Sequence, residues 1–502
     1  MSRFLVLPIL IPLGSGILLY ILSGKKNLTK NLYLLASLAQ LGVSIFLFHY
    51  VLSHGIQVSV MSKWPAPYGI AIVGDTLSSL MVMVTSILAF CISLFAYGEG
   101  LGEKGSSAPY PCMIQLLTAG VCWAFLTGDL FNLYVSFEII LMSSFVLMTF
   151  DASKPKLQGT IKYVTLNIIS SAFFLTSLGL LYSLAGTLNI ADLSQKISQS
   201  PQSPQLLACA LLMSLAFGIK SGSFPLFFWL PEAYPRLPGA LLAFIGGLLT
   251  KVGVYALLRV WTLVFTPLHG LVDPWILILA CFTMVTGVLG AVAQYSMKRL
   301  LSWHIISQVG YMILGLTLAS VAGVAATIFY VIHNIFAKSN LFLIAEVLKR
   351  WNGSSDLKKI GGALKQSPYL GFLFLISGLG LAGVPPLSGF FAKYFLLREV
   401  FMEGKYLALV VALGVSMMTL FSMIKIWAEG FWKKSPDPQA SEKPRKLGLS
   451  MGLPITILAL MVVAMGLGGN YFYSWAQKAA QDLVHPQAYI AAVLQGGSDE
   501  TP

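Results

Sequence analysis

Apolar residues in this chain fill whole stretches of roughly twenty positions, separated by short polar segments. That length lets a helix cross a hydrocarbon layer about 30 Å thick. About fourteen such spans are predicted, near 4–23, 31–53, 69–97, 110–126, 129–150, 160–186, 205–230, 239–264, 272–294, 300–320, 324–347, 369–402, 405–428 and 449–470. The first run, MSRFLVLPILIPLGSGILLYILS, is too long for a signal peptide and carries Pro8 and Pro12, so it reads as a retained span. The polar stretch 430–448 reads as a linker before an isolated last span, and the tail after Asn470 as partly ordered.

Composition sharpens this picture. Of 502 residues only 10% are charged, against about a quarter in soluble proteins. A soluble enzyme is excluded. The net charge of +13 would suggest nucleic acid only on a soluble basic module, and here the loops account for it. Lys25, Lys26, Lys30, Lys104, Lys154, Lys156, Arg236, Lys298, Arg299, Lys349, Arg350, Lys358, Lys359, Lys365, Lys433, Lys434, Lys443, Arg445 and Lys446 fall in alternate loops. The intervening set, tails included, holds Arg3, Lys63, Lys196, Lys405 and Lys478. Nineteen against five places the rich loops in the cytoplasm and both termini outside. The five cysteines, Cys91, Cys112, Cys122, Cys209 and Cys281, lie in apolar runs without metal or disulfide spacing and read as buried hydrophobes.

The remaining basic residues lie within or at the ends of spans. Lys162, Arg259, Arg398 and Lys425 fall near span ends, where a long stem can snorkel to the interface. Lys220, Lys251, Lys338 and Lys393 lie deeper, and Glu138 sits near the middle of its span. Each such charge costs about 2.5–3.5 kcal/mol on insertion scales. Structural ion pairing could absorb some of that cost, but intramembrane ionisable groups default to function. Two spans also carry Gly and Pro interruptions beside a lysine, FGIKSGSFPLFFWLPEAYPRLPG with Lys220 and GLAGVPPLSGFFAKYFLL with Lys393. Paired broken helices point to an ion pathway in transporters, although a packing kink is the ordinary alternative. Burial loosens a lysine's hold on its proton and a nearby carboxylate tightens it, so such a pair can load and release protons. Glu138 is the natural partner for Lys220 or Lys251. His333 and Lys338, five residues apart on one helix, extend the series. His304 and Asp75 are secondary candidates, whose ordinary readings are a packed histidine and an acid near an outer helix end.

FNLYVSFEIILMSSFVL, GIKSGSFPLFFWLPEAYPRLPGALLAFIGGLLTKVGVYALLR, LLSWHIISQVGYMILG, HNIFAKSNLFL and AGVPPLSGFFAKY together resemble the antiporter-like subunits shared by respiratory complex I, membrane-bound hydrogenases and Mrp-type multisubunit cation/proton antiporters. Within that family KWPAPYGIAIVGDTLSSLM and the HIISQVGYM form, with Gln308 where quinone-reductase relatives usually have histidine, are most similar to the D-type subunits of Mrp antiporters. The resemblance implies an all-α polytopic membrane protein with two inverted five-helix repeats. These are 110–264 and 265–428, flanked by helices 1–3 in 1–109 and by a linker, last helix and external tail in 429–502. It implies a Glu138–Lys220 pair continued by Lys251, His333 or Lys338, and Lys393 along a hydrated axis. The function implied is proton translocation in a multisubunit Na+(cation)/H+ antiporter of a prokaryotic cell membrane, a transporter subunit rather than an enzyme. Its partners would be other membrane subunits, H+ and Na+ or another monovalent cation. The alternative is a proton-pumping subunit of a complex I-type or hydrogenase-type redox complex. No flavin, nicotinamide, haem or cluster motif occurs, so no cofactor is expected.

Overall fold

Inside hydrocarbon a backbone has no water to satisfy its N–H and C=O groups, so the apolar runs must wind into helices. The computed structural model describes residues 2–61, 64, 68–100, 110–150, 153–199, 202–436 and 444–495. Lys63, Lys104, Lys443 and the GGSDETP end lie outside them. In chain order the elements are α1 Leu7–Ile21, α2 Lys26–His54, the strands β1 Gln57–Val60 and β2 Ala71–Gly74, α3 Thr76–Glu99, α4 Tyr110–Leu126, α5 Leu130–Thr149, α6 Lys154–Ala185 and α7 Ile190–Ser198. There follow α8 Pro204–Ser221, α9 Leu230–Ala233, α10 Gly239–Leu263, α11 Asp273–Val292, α12 Met297–Leu316 and α13 Val321–Asn352. The chain continues through α14 Ala363–Gln366, α15 Pro368–Ala382, α16 Ser388–Met402, α17 Tyr406–Ile426, α18 Leu449–Leu467, α19 Gly469–Val484 and α20 Gln487–Gln495. Among the described residues eleven helices are long and apolar enough to cross a membrane, and two shorter apolar ones, α4 and α15, accompany them.

The most buried helix is α10, packed among α3, α8, α12 and α13. Glycine makes that position possible. A methyl group at Gly247 would lie 1.9 Å from Ser339 Oγ, and one at Gly246 2.7 Å from the Phe342 ring. Small residues let the α10 and α13 backbones approach closely, as at other membrane helix contacts.

Two crossings are interrupted where the sequence predicts. The α8 helix closes on Gly222 at φ +77°, and α15 on Gly383 at φ +93°. That region favours glycine, and the prolines that follow supply no N–H to continue a helix. Each break contains a cis X–Pro bond, Phe224–Pro225 and Pro385–Pro386.

Several expectations are corrected. The run at 69–97 is not helical throughout: Ala71–Gly74 pairs antiparallel with Gln57–Val60, and helix begins at Thr76. An Asp75–Ser78 capping box sets that start, with Ser78 N–H donating to Asp75 Oδ1 at 2.7 Å and Asp75 N–H to Ser78 Oγ at 2.9 Å. Arg259 does not snorkel. Its Nη2 donates to Asp75 Oδ1 at 2.6 Å, Nη1 contacts the other carboxylate oxygen, and Nε donates to Tyr255 at 3.0 Å. The tail carries two helices, α19 and α20, as far as Gln495, with Ala476, Ala479, Ala480 and Leu483 forming a buried stripe on α19. Thr76 Oγ1 donates to Asp482 Oδ2 at 2.7 Å, which fastens α19 over the start of α3.

Asp75 therefore serves as a helix cap and an ion-pair partner, apart from the deep lysines. Burial works against its charge, but the Arg259 guanidinium and the bonds from Ser78 outweigh it and hold the carboxyl below the usual carboxylate range. Arg259→Met leaves this carboxylate buried and alone, and is expected to cost about 3–5 kcal/mol. Adding Asp75→Asn, which can still cap α3, recovers most of that loss. Thermal unfolding of the purified single and double variants checks both statements.

The turn between α10 and α11 carries a pH-sensitive contact. His269 Nδ1 lies 3.0 Å from Asp273 Oδ1 and Nε2 3.1 Å from the Trp261 carbonyl, so both ring nitrogens must donate. Burial and nearby Lys405 oppose the charged ring, but the Asp273 hydrogen bond and charge outweigh them, raising His269 above its ordinary value. A raised histidine stabilises fully below its unfolded value of about 6.5 and loses that contribution as pH rises through the folded value. The stability advantage of the parent over His269→Asn should be constant between about pH 5 and pH 6, where Asp273 is still ionised, and shrink above neutrality, as thermal unfolding across pH would show.

Candidate functional site

Helices α5, α6 and α8 bring the acid and the first lysine together, but through an intermediary. Ser171 Oγ on α6 donates to Glu138 Oε1 at 2.5 Å, and Lys220 Nζ donates to the same hydroxyl at 3.5 Å. No direct Glu138–Lys220 ion pair is formed among the described residues. A hydroxyl both donates and accepts, so Ser171 can connect the two charges by rotation. Sequence reasoning missed it, because a serine in mid-span reads as ordinary helix glue. Lys220 lies in the last turn of α8, where the carbonyl end of the helix favours a cation. Its ammonium also sits 4.8 Å from the centre of the Phe137 ring. Beside it is a cavity of about 20 Å³ lined by Tyr163, Asn167 and Tyr234. That is room for one water, and the buried Tyr234 hydroxyl has no other partner among the described residues.

Gly253 of α10 packs on the α8 end, since a methyl there would lie 2.9 Å from the Ser221 nitrogen. This contact sets α10, and with it Lys251, behind the acid–lysine pair. Lys251 is fully buried, and its Nζ donates to the Gly246 carbonyl of its own helix at 3.1 Å. Across the glycine contact, fully buried Lys338 donates to the Leu301 carbonyl of α12 at 3.2 Å. The two ammonium groups lie within electrostatic reach of one another.

The series continues through α12, α13 and the second break. His304 is fully buried with both ring nitrogens unpartnered among the described residues, within electrostatic reach of Lys338 and Lys393. His333 Nδ1 lies 2.7 Å from Ser388 Oγ at the start of α16. Lys393 donates to the Ala382 carbonyl that ends α15 and to Ser416 Oγ, each at 2.8 Å. Both break-associated lysines thus sit at the carbonyl end of an interrupted helix. Gln308, on α12, accepts from Tyr330 at 2.6 Å and from Asn334 at 3.5 Å, which extends the polar lining between α12 and α13.

The structure brings half-buried Glu138 to Ser171 and Lys220, sets buried Lys338 within electrostatic reach of Lys251 and His304, and His304 and His333 within reach of Lys393, and places Asp75 apart with Arg259. Among the described residues no group of three His, Cys, Asp or Glu side chains converges as a metal site. The arrangement offers proton donors and acceptors in a largely buried interior, with hydroxyls among them and a water-sized cavity beside Lys220.

The transmembrane family described as NADH:quinone oxidoreductase/Mrp antiporter matches residues 127–419. The D-type subunit of the Na(+)/H(+) antiporter of Alkalihalophilus pseudofirmus is 41% identical over 497 residues, covering 99% of this chain and 100% of the relative. A chain in the structure of the Mrp complex from Dietzia superposes with a TM-score of 0.92 at 30% identity, covering 98% of this chain and 100% of that one. A chain of respiratory complex I from Thermus thermophilus, with a TM-score of 0.84, 22% identity and coverage of 98% and 99%, shares the fold. On the span of the family match and on full-length identity, this chain belongs to the NADH:quinone oxidoreductase/Mrp antiporter transmembrane family.

Proposed function

We propose that this chain is the proton-translocating subunit of a multisubunit cation/proton antiporter that uses inward proton flow to expel sodium. It is a transporter component, not an enzyme. The observation that carries this reading is the Glu138–Ser171–Lys220 relay, continued by a lysine series beside both helix breaks, in a chain so closely related to the D-type subunit of a Na(+)/H(+) antiporter. The complex I likeness concerns the fold alone and gives a redox assembly no comparable support.

In this reading the chain makes fourteen crossings, with α8–α9 and α15–α16 each counted as one broken crossing, and the two inverted repeats span 110–264 and 265–428. Both termini face outward and the lysine-rich loops face the cytoplasm. A proton entering the series adds a charge beside its neighbours, and like-charge repulsion favours passing a proton onward. The driving force is about 2.3 kcal/mol per charge per 100 mV, so unequal proton and cation counts make exchange electrogenic. Other membrane subunits complete the assembly.

Transport by the complete complex in vesicles, normalised to assembled complex, tests the relay. Glu138→Gln and Lys220→Ala are each expected to slow exchange roughly 100-fold or more, the range of a lost acid–base group. Ser171→Ala, which removes one hydrogen bond to charged groups, should cost about 10-fold, and Ser171→Thr should restore most of it. Normal exchange by fully assembled Glu138→Gln would refute the proton role. The orientation is checked separately: a cysteine at position 359 should resist a membrane-impermeant thiol reagent added outside, whereas one at exposed position 488 should react.

A further inference from the structure

At the end of the molecule bearing the lysine-rich loops lies a second buried ionic cluster, which the relay does not use. Lys298, which the sequence places in a loop, is buried in the first turn of α12. Its Nζ lies 2.5 Å from Glu346 Oε2 of α13 and donates to the Leu237 carbonyl at 3.0 Å. Glu99, the last residue of α3, accepts the N–H groups of Gly239 and Ala240 at the start of α10, both at 3.1 Å. Arg350, at the rim, bridges the two acids at 3.3 Å to Glu99 and 3.5 Å to Glu346. Gly239 leaves the space for this: a methyl there would lie 2.2 Å from Glu346 Cγ.

A second observation points to what the cluster handles. A cavity of about 20 Å³ lies nearby, lined by Lys30, Ser93, Tyr97, Tyr33 and Tyr110. Tyr33 and Tyr110 are 5% and 4% exposed, yet their hydroxyls have no hydrogen-bond partner among the described residues. Tyr110 lies within electrostatic reach of both Glu99 and Glu346. One water fits the cavity and would satisfy both hydroxyls. On its inner side the cluster shares the α12–α13 seam with the lysine series: Lys298 stands three residues before Leu301, whose carbonyl holds Lys338. Glu346 lies eight residues, about 12 Å of helix, beyond Lys338.

We propose that Lys298, Glu346 and Glu99 form a proton-exchange site linking the Lys338 end of the series to the solvent on the lysine-rich side, through water held by Tyr33 and Tyr110. A proton bound by Glu346 converts its carboxylate to a neutral acid and loosens the Lys298 ion pair. Its passage by way of Glu99 to cavity water restores the pair, so one proton has moved and the cluster regains its charge. The inference rests on the proton role assigned to the lysine series.

The test uses the complete complex in vesicles, with exchange normalised to assembled complex and recorded across pH, and Glu138→Gln measured alongside. The Lys298→Met/Glu346→Leu double variant leaves neither charge of the pair orphaned. It is expected to assemble and to lose at least ten-fold in rate. The near-isosteric Tyr33→Phe/Tyr110→Phe variant is expected to lose several-fold and to shift the pH profile, which a purely structural role would not do. Glu346→Asp should retain partial exchange. If the assembled charge-pair variant keeps the parental rate and pH profile while Glu138→Gln is inactive, this site is wrong and the relay stands. Parental exchange by Glu138→Gln overturns both. Should the charge-pair variant fail to assemble, the tyrosine variant decides, and its parental rate and profile would overturn the proposal.

Discussion

An ammonium group cut off from water needs hydrogen-bond acceptors, and this chain supplies them chiefly from its own backbone. Lys251 takes the Gly246 carbonyl, Lys338 that of Leu301 and Lys393 that of Ala382. Of the four deep lysines, Lys220 alone is brought near an acid among the described residues, and even there a serine hydroxyl stands between. A carbonyl stabilises the charged lysine without competing for its proton, whereas a carboxylate in contact would hold the charge in place. Carbonyl acceptors therefore allow the interior to carry several basic groups without fixing each to a permanent counter-ion.

Much of the architecture follows from making those carbonyls available. An unbroken helix commits each carbonyl to the N–H four residues on, so spare acceptors occur where helices end. The α15 break ends at Ala382 and turns its last carbonyl toward Lys393. Gly246 and Leu301 lie inside α10 and α12, where a carbonyl already bonded in its helix can accept the ammonium on its second lone pair, and the glycine face of α10 draws α13 near enough to set Lys338 within electrostatic reach of Lys251. Direct ion pairs are placed elsewhere: Asp75–Arg259 ties α3 to α10 at one end of the molecule, and Lys298–Glu346 ties α12 to α13 at the other.

The deep charges and both breaks were legible in the sequence because each violates a strong local rule: Lys251 interrupts an apolar run, and Pro225 and Pro386 interrupt helices. What escaped was relational. Ser171 looks like any mid-span hydroxyl until α6 sets it between Glu138 and Lys220. Arg259 stands at a span end, where snorkelling is the usual outcome, and only the fold of β2 and the α3 cap carries Asp75 to it. The strand at 71–74 was hidden by its own hydrophobicity, since an apolar run continuing into a helix cannot be divided by periodicity. Asp75, with a serine three residues later, was the local signal that could have divided it.

The same backbone acceptors that tolerate charge would interrupt the proposed proton path. A carbonyl that holds an ammonium cannot pass a proton onward, so transfer between Lys251, Lys338 and Lys393 needs a group that both gives and takes. His304, with both ring nitrogens unpartnered among the described residues and Lys338 and Lys393 within electrostatic reach, has that chemistry. His333 presents one nitrogen to Ser388 and can work in the same way. Elsewhere the molecule offers hydroxyls and small voids: Ser171 beside Glu138, and the cavities at Tyr234 and at Tyr33–Tyr110, each with space for a single water. Water in such a void bridges two protein groups at a modest entropic cost, up to about 2 kcal/mol. In the proposed path, filling or emptying such a void would make or break the connection between the groups that line it.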